Sequence, residues 1–324
     1  MDPYISVIIP VYNRTQYVNE AISSVLNQKL GRDKYEIIVV TNVDLPEREG
    51  VKIIKSNERW LGPKIAEGIL NARGEVICLL EDDDLFLNNK LETVYKTFKE
   101  HTELGLLKNP MIRIKYMGEK QSDYKSLPPS PIPENPIYIR NSVLNKRFIK
   151  GALRYEVCFY NSTLCFRKNP LLNDIEFIRK VKIVVDMFIG LYFLSRYDVM
   201  IYNSPLSIYR VTGLNTYFEP LDFERFIKKF NELHMLFYED HEIIFNAVKG
   251  TKVEHLSKQY LAFEKILAKF SKDKTVQISI RDVFLASTIN KYAILVYLAS
   301  FLPFSLKRMA YRFAFWLQKK ALSY

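Results

Sequence analysis

Short apolar runs alternate with segments of helical periodicity over the N-terminal third of the chain. Ile5–Tyr12 (ISVIIPVY), Glu36–Thr41 (EIIVVT), Val51–Ser56 (VKIIKS) and Glu75–Leu80 (EVICLL) are rich in apolar and β-branched residues, as strands covered on both faces must be. Between the first two, Val18, Ala21, Ile22 and Val25 recur at helical spacing, and Leu91, Val94, Tyr95 and Phe98 do so after the fourth. This alternation predicts an α/β fold with a mainly parallel central sheet. In such sheets ligands collect beyond the carboxyl ends of the strands, so residues 12–14, 41–44 and 81–84 are expected to converge on one cleft.

Further along, Ser126–Pro136 (SLPPSPIPENP) holds five prolines, which exclude a helix interior or a central strand and predict a loop. Beyond residue 220 the pattern is wholly helical. Phe223, Phe226, Ile227, Phe230 and Phe237 form one stripe, and Val253, Leu256, Tyr260, Phe263, Leu267 and Phe270 another. The expected organisation is an α/β domain over residues 1–220, a helical region over 221–282 and a tail over 283–324.

Composition narrows the class. With 48% hydrophobic residues and 11 Gly among 324, the chain is neither disordered nor collagenous. Cys78, Cys158 and Cys165 are too few and too scattered for a disulfide framework or a zinc site, and they are expected to be buried thiols in a reducing compartment. The net charge is +11, and Val283–Tyr324 contributes six basic and no acidic residues. That tail also carries Tyr292–Phe304 (YAILVYLASFLPF), which is shorter than the roughly 20 residues a spanning helix needs. Basic residues among Phe313, Phe315, Trp316 and Leu317 point to a helix lying on an anionic membrane surface, rather than to nucleic acid. The alternative is packing on the protein's own core or on a second copy, as a homo-oligomer. Met1–Ser6 lacks a charged and apolar leader, so the expected location is cytoplasmic, peripheral on the inner face of the membrane.

Two acidic features carry candidate chemistry. Glu81-Asp82-Asp83-Asp84 stands at the carboxyl end of the fourth strand, where adjacent acids repel one another unless a cation compensates them. A hard divalent ion, Mg²⁺ or Mn²⁺, suits such oxygen ligands and keeps positions for phosphate; a solvated turn capping the next helix is the competing reading. Asp186 sits alone in the apolar run IVVDMFIGLYFL, where a carboxylate is costly unless it serves a purpose. It reads as a catalytic carboxylate, a helix N-cap, or both. The four histidines show no metal spacing, and neither a Walker loop nor a Ser-His-Asp arrangement is present.

Taken in order, ISVIIPVYNR, Gln28, EIIVV and GILNARGEVICLLEDDDLFLNNKLE resemble the family 2 glycosyltransferases. The resemblance extends over about two thirds of the chain. It implies the GT-A fold, a nucleotide-sugar-binding α/β domain with a mainly parallel sheet, here followed by a C-terminal helical region. The donor half would fall at about residues 1–100 and the acceptor half at about 101–220. Pro10, Val11, Tyr12 and Asn13 match the family's nucleotide-binding first loop. Glu81-x-Asp83 matches its D-x-D motif, with Glu81 and Asp82 toward the nucleotide sugar and Asp83 holding the metal. Asp84 matches the acid that commonly follows. Thr41 and Asn42 stand where the family often has paired aspartates, and Ile65 and Ala66 replace an Arg-Asn pair, beside a loop Lys64 that would be solvated or near the diphosphate.

On the acceptor side, Asn161–Leu172, Val184–Tyr197 and Ser204–Asn215 resemble family segments. Asp186 then matches the catalytic base, with Val185 in place of the usual preceding Glu, and Arg210 a position near the diphosphate. The Gln-x-x-Arg-Trp motif of processive synthases is absent. The implied activity is that of a metal-dependent, inverting, non-processive transferase, hexosyltransferase-like, moving one sugar from a nucleotide-diphosphate sugar to a glycan or lipid-linked acceptor. A nucleotidyltransferase and a non-catalytic sugar-binding scaffold are the alternatives.

Overall fold

The computed structural model describes residues 2–116, 124–211, 222–271 and 275–322. The chain divides into two compact units, Met1–Thr212 and Gly213–Tyr324. The boundary expected at residue 220 lies outside the described residues.

The first unit begins with β1 (Ile5–Val11), α1 (Val18–Leu26), β2 (Tyr35–Thr41), β3 (Val51–Lys55), α2 (Leu61–Asn71), β4 (Val76–Leu79), β5 (Leu85–Phe86) and α3 (Lys90–Glu100). It continues through β6 (Leu104–Lys108), β7 (Met111–Tyr116), β8 (Tyr124–Leu127), β9 (Ile137–Ile139), α4 (Lys146–Arg154), β10 (Leu164–Arg167) and α5 (Lys168–Leu172). It closes with α6 (Ile175–Lys180), α7 (Val185–Arg196), β11 (Asp198–Ile201) and β12 (Ser207–Val211). An eight-stranded sheet runs in the order β3-β2-β1-β4-β10-β6-β11-β9. Strands β3, β2, β1 and β4 are mutually parallel, whereas β10 enters antiparallel between β4 and β6.

Strand alternation explains the layering. Ile5, Val7, Ile9 and Val11 of β1 share one core cluster with Val18, Ala21, Ile22 and Val25 of α1 and with Leu91, Val94 and Phe98 of α3. On the other face, Gly68 of α2 lies so close to Ile8 that a Cβ would overlap its side chain. Strands β1 and β2 are buried throughout, as their unbroken apolar runs require.

Register corrects the reading of the cysteines. Cys78 of β4 faces Cys165 of β10 across the antiparallel pair, and the two form a disulfide with Cα atoms 4.2 Å apart. Only Cys158 is a free buried thiol. The 87 residues separating the pair in sequence hide a contact that the sheet order creates.

A second, four-stranded sheet, β5-β12-β7-β8, has no counterpart in the sequence expectations. Its strands are short, and β7 and β12 mix polar with apolar residues. The proline-rich segment contributes only its first residues to β8, and Ser130 anchors the rest by receiving the Met111 N–H on its hydroxyl at 2.7 Å.

The second unit is helical: α8 (Phe223–Val248), α9 (Glu254–Phe270), α10 (Ile280–Ser287), α11 (Ala293–Ala299) and α12 (Phe304–Leu322). Asp222 caps α8 by accepting the N–H groups of Glu224 and Arg225. Phe226 and Ile227 of α8, Phe270 of α9 and Tyr311 of α12 form one core, and Ala262, Ile266, Ala286 and Ala293 another. The expected tail is therefore not a separate segment. Helix α10 runs through the supposed boundary at 282/283, started by a capping box between Ser279 and Asp282. The α9 stripe also turns: Leu261, Ala262 and Ile266 are buried, while Leu256, Tyr260 and Phe263 are half-buried. Among the described residues no helix is long and apolar enough to cross a membrane.

Candidate active site

The carboxyl ends of β1, β2 and β4 meet at one edge of the large sheet. Pro10 and Val11 are buried in β1, whereas Tyr12 is 37% exposed. Asn13 adopts φ 54°, a conformation that Asn tolerates better than most residues. That turn brings Asn13 to Asn42. The Asn13 N–H donates to Asn42 Oδ1 at 3.0 Å, and Asn42 Nδ2 donates back to Asn13 Oδ1, so two loops are locked together. Thr41 is fully buried with its hydroxyl engaged by the backbone of Val43. Asp44 is exposed and paired with Lys55.

The four acids follow β4 as a tight turn, with the Asp84 N–H donating to Glu81 O at 3.1 Å. Asp82, Asp83 and Asp84 are all buried, which argues against a merely solvated turn. Two arginines compensate them. Arg14, from the loop after β1, bridges Asp82 and, at 3.2 Å, Asp83. Arg210 of β12 is fully buried: its N–H donates to Asp84 Oδ1 at 3.0 Å, its Nε to the Asp83 carbonyl, and its guanidinium reaches Glu20 of α1 at 2.5 Å. Pairing of β12 with β5, directly after the acids, sets that contact. Arg210 thus braces the acidic turn from within, not from a surface strand end.

Burial dominates the acids' ionisation. It pushes Glu81 up to about 7, with repulsion from Asp83 adding to the shift and the Asn161 hydrogen bond opposing it. Asp82 rises to about 7 for the same first reason, against the pull of Arg14. Asp83 and Asp84 are also raised, chiefly by burial. Among the described residues no three acidic, histidine or cysteine groups form a metal cage. Mg²⁺ and Mn²⁺ sites do not require one where phosphate and water complete the shell. Crowded hard oxygens whose charged forms burial penalises are the kind of donor such an ion takes.

Opposite the acids, one short turn gathers the remaining groups. The Tyr160 N–H donates to Asp186 Oδ2 at 2.7 Å, Asn161 Nδ2 to Glu81 Oε1 at 2.8 Å, and the Glu81 N–H to Ser162 Oγ at 2.9 Å. Asp186 lies in the first turn of α7, two residues after the N-cap Val184, and its Oδ1 accepts the Met187 N–H at 2.9 Å, so it serves a helix-start donor without occupying the cap position itself. Burial lifts Asp186 to about 6, against its backbone hydrogen bonds from Tyr160 and Met187. Two buried lysines hold the turn from behind. Lys90 Nζ donates to the Ser162 carbonyl at 2.7 Å, and Lys108 Nζ to the Phe159 carbonyl at 3.0 Å.

The expected residues thus fall into three groups. Tyr12, Asn13 and Asn42 stand at the strand ends; Glu81, Asp82, Asp83 and Arg210 form the acidic turn and its brace; Asp186 shares the 160–162 turn with Glu81. Pro10, Val11 and Thr41 sit inside the sheet layer. Segment Ser204–Asn215 passes outside the described residues beyond Val211. Arg14, Glu20, Lys90, Lys108 and Tyr160–Ser162 are contributors that sequence reasoning did not assign. Arg14 carried a signal, standing next to Asn13 in the loop expected at the cleft, as did Lys90 within the family-like run and Asn161 and Ser162 at the start of the Asn161–Leu172 segment.

Comparison with known proteins agrees with this fold. The model of the family described as glycosyl transferase family 2 matches residues 6–173. The minor teichoic acid biosynthesis protein GgaA of Bacillus subtilis is 28% identical over 203 residues, covering 55% of this chain and 40% of that protein. An uncharacterized glycosyltransferase of Rickettsia bellii is 37% identical over 110 residues, 31% of this chain and 16% of that one. The chain therefore spans less than half the length of these curated relatives. S. aureus TarS 1-349 has the same fold at a TM-score of 0.60 and 17% identity, covering 97% of this chain and 92% of that structure. With the family model covering more than half of its residues, the chain belongs to glycosyl transferase family 2.

Proposed function

We propose that the protein transfers a single sugar from a nucleotide-diphosphate sugar to an acceptor hydroxyl, with inversion and without processive extension. The observation that carries this reading is the 160–162 turn, which holds Asp186 through Tyr160 and Glu81 of the acidic turn through Asn161 and Ser162. A proton acceptor and a phosphate-side acid cluster are thereby kept in fixed relation, as a displacement at the anomeric carbon needs. Asp186 takes the proton of the attacking hydroxyl as the new C–O bond forms, and the bond to the diphosphate breaks on the opposite face. A divalent ion held by Asp83 would supply charge stabilisation for the departing diphosphate. Arg14 and Arg210 keep the acidic turn in place through that change of charge.

A uridine donor is the first to test, because TarS has been solved with UDP and with UDP-GlcNAc. The teichoic acid role named for the Bacillus relative supports a surface polymer or its lipid-linked precursor as acceptor. The reading further places the protein on an anionic membrane. Phe284, Leu295, Phe301, Met309, Phe313 and Trp316, on α10–α12 and the turn between α11 and α12, are 54–74% exposed, with Lys291 and Arg312 exposed among them. Large apolar side chains flanked by cations match the charge and depth of a lipid interface. Lys307 is excluded from that face, being buried with Nζ on the Phe270 carbonyl, and Arg308 pairs with Glu224.

The direct test is thermal unfolding with UDP, GDP and dTDP and their sugars, each with Mn²⁺ and with EDTA. A cation-dependent rise with one nucleotide, lost in Asp83→Ala, supports the donor site and directs an acceptor screen. No rise with any of them removes the reading.

A further inference from the structure

Lys64 lies in the first turn of α2 and is 1% exposed, yet its Nζ has no hydrogen-bond acceptor among the described residues. Its Nζ lies over the ring of Tyr12, 5.3 Å from the centroid. Burial lowers its pKa; Glu67 and Glu58, and then Asp82 of the acidic turn, attract it, but none of them hydrogen-bonds its Nζ, and Asp82 is already committed to Arg14. A buried ammonium in this state is costly: the ring face returns only part of the lost hydration, and the start of a helix disfavours positive charge. The next two residues, Ile65 and Ala66, are fully buried in the core. Lys64 is thus the cation that α2 brings to the Tyr12 side of the cleft.

We propose that Lys64 is a donor-binding residue whose ammonium hydrogen-bonds an oxygen of the nucleotide, either a base carbonyl or a phosphate oxygen, beside Tyr12. This rests on the nucleotide-sugar reading above and adds to it a specific contact. The ligand supplies the acceptor that the fold withholds, so part of the cost of burying Lys64 is recovered only on binding. The same arrangement explains why a lysine, rather than an apolar residue, occupies this buried position at the cleft.

Lys64→Met keeps the length and removes the charge. Calorimetric titration of the full chain with UDP, uridine and inorganic pyrophosphate, each with Mg²⁺, reads the consequence. UDP affinity is expected to fall about tenfold or more in Lys64→Met and to recover in part in Lys64→Arg. The unliganded melting temperature of Lys64→Met should equal or exceed that of the wild type, which a purely structural lysine would not allow. A loss shared by uridine assigns the base carbonyl, and a loss shared by pyrophosphate assigns the diphosphate. Wild type and Lys64→Met binding UDP equally would overturn the proposal while leaving the donor reading intact. A wild type that binds no nucleotide would remove both. Should Lys64→Met not fold, Lys64→Gln carries the same comparison.

Discussion

Asp186 is held at 2.7 Å by the backbone N–H of Tyr160, a residue whose φ of 68° lies in the region most side chains avoid. Such a conformation persists only where the surroundings over-determine it. Here the Thr163 hydroxyl donates to the Tyr160 carbonyl at 2.6 Å, the Arg113 guanidinium lies over the ring at 5.2 Å, and Tyr209 meets its edge at 5.1 Å. The candidate base is thus positioned by backbone that the second sheet and the buried lysines keep rigid.

Asp186→Asn keeps the shape and removes the proton acceptor. Transfer should fall by about a hundredfold to ten-thousandfold, the usual share of a general base, while UDP affinity stays within about twofold. Steady-state rates and calorimetry on the same preparation separate the two effects; equal losses in both would contradict the assignment.

The pH profile follows from the same carboxylate. Burial raises Asp186 to about 6, so its ionised, proton-accepting form is lost as pH falls through that value. The rate should drop on the acid side with an apparent pKa near 6 rather than near 4. A limb near 4 would mean that another group accepts the proton.

Arg14 and Arg210 both meet the acids but should differ in weight. Arg210→Ala removes the buried guanidinium that holds the Asp83 carbonyl and Glu20, and should cost about 3–5 kcal/mol in denaturant unfolding. The Arg14 side chain is 36% exposed, and solvent screening should limit Arg14→Ala to about 1 kcal/mol or less. Comparable losses for the two would show that the burial of Arg210 is not what matters.

Gly62 lies in the first turn of α2, two residues before Lys64, where an added Cβ would overlap the backbone carbonyls of Val181 and Ile178. Backbone cannot step aside as a flexible side chain can. Gly62→Ala should therefore lower stability by about 1–3 kcal/mol, and by displacing the helix start it should also weaken nucleotide binding. A melting temperature like that of the wild type would show that α2 and α6 separate freely.

Vesicle flotation tests the apolar face of the helical unit. Binding to phosphatidylglycerol vesicles and not to phosphatidylcholine, weakened by salt and by Phe301→Asp or Phe313→Asp, is the expected result. Concentration-dependent self-association without vesicle binding would assign the face to a second copy instead.

How much of this was legible in the sequence varies with the range of the interaction. Val18, Ala21, Ile22 and Val25 announce a helix because its buried stripe recurs every three or four residues, and the four apolar runs announce strands because burial on both faces leaves no polar position free. The acidic turn was legible because it follows such a run directly, at the end where parallel strands present ligands. The second sheet was not legible. Strands β5 and β12 join the neighbouring pair β7 and β8 from distant parts of the chain, and β8 is exposed or partly exposed throughout.

The sequence by itself determined the α/β class, the edge of the sheet at which the site lies, the acids that line it and the helical character of the C-terminal region. These are local consequences of periodicity and of neighbouring charges. Only the tertiary structure decided that Cys78 faces Cys165, that Arg210 is buried under the acidic turn, and that Tyr160 holds Asp186. It also decided that Lys64 is covered rather than solvated, and that α10–α12 pack on α8 and α9 while leaving large apolar side chains outside. Each depends on which distant strand or helix becomes the neighbour, and a residue's own surroundings in sequence carry no record of that pairing.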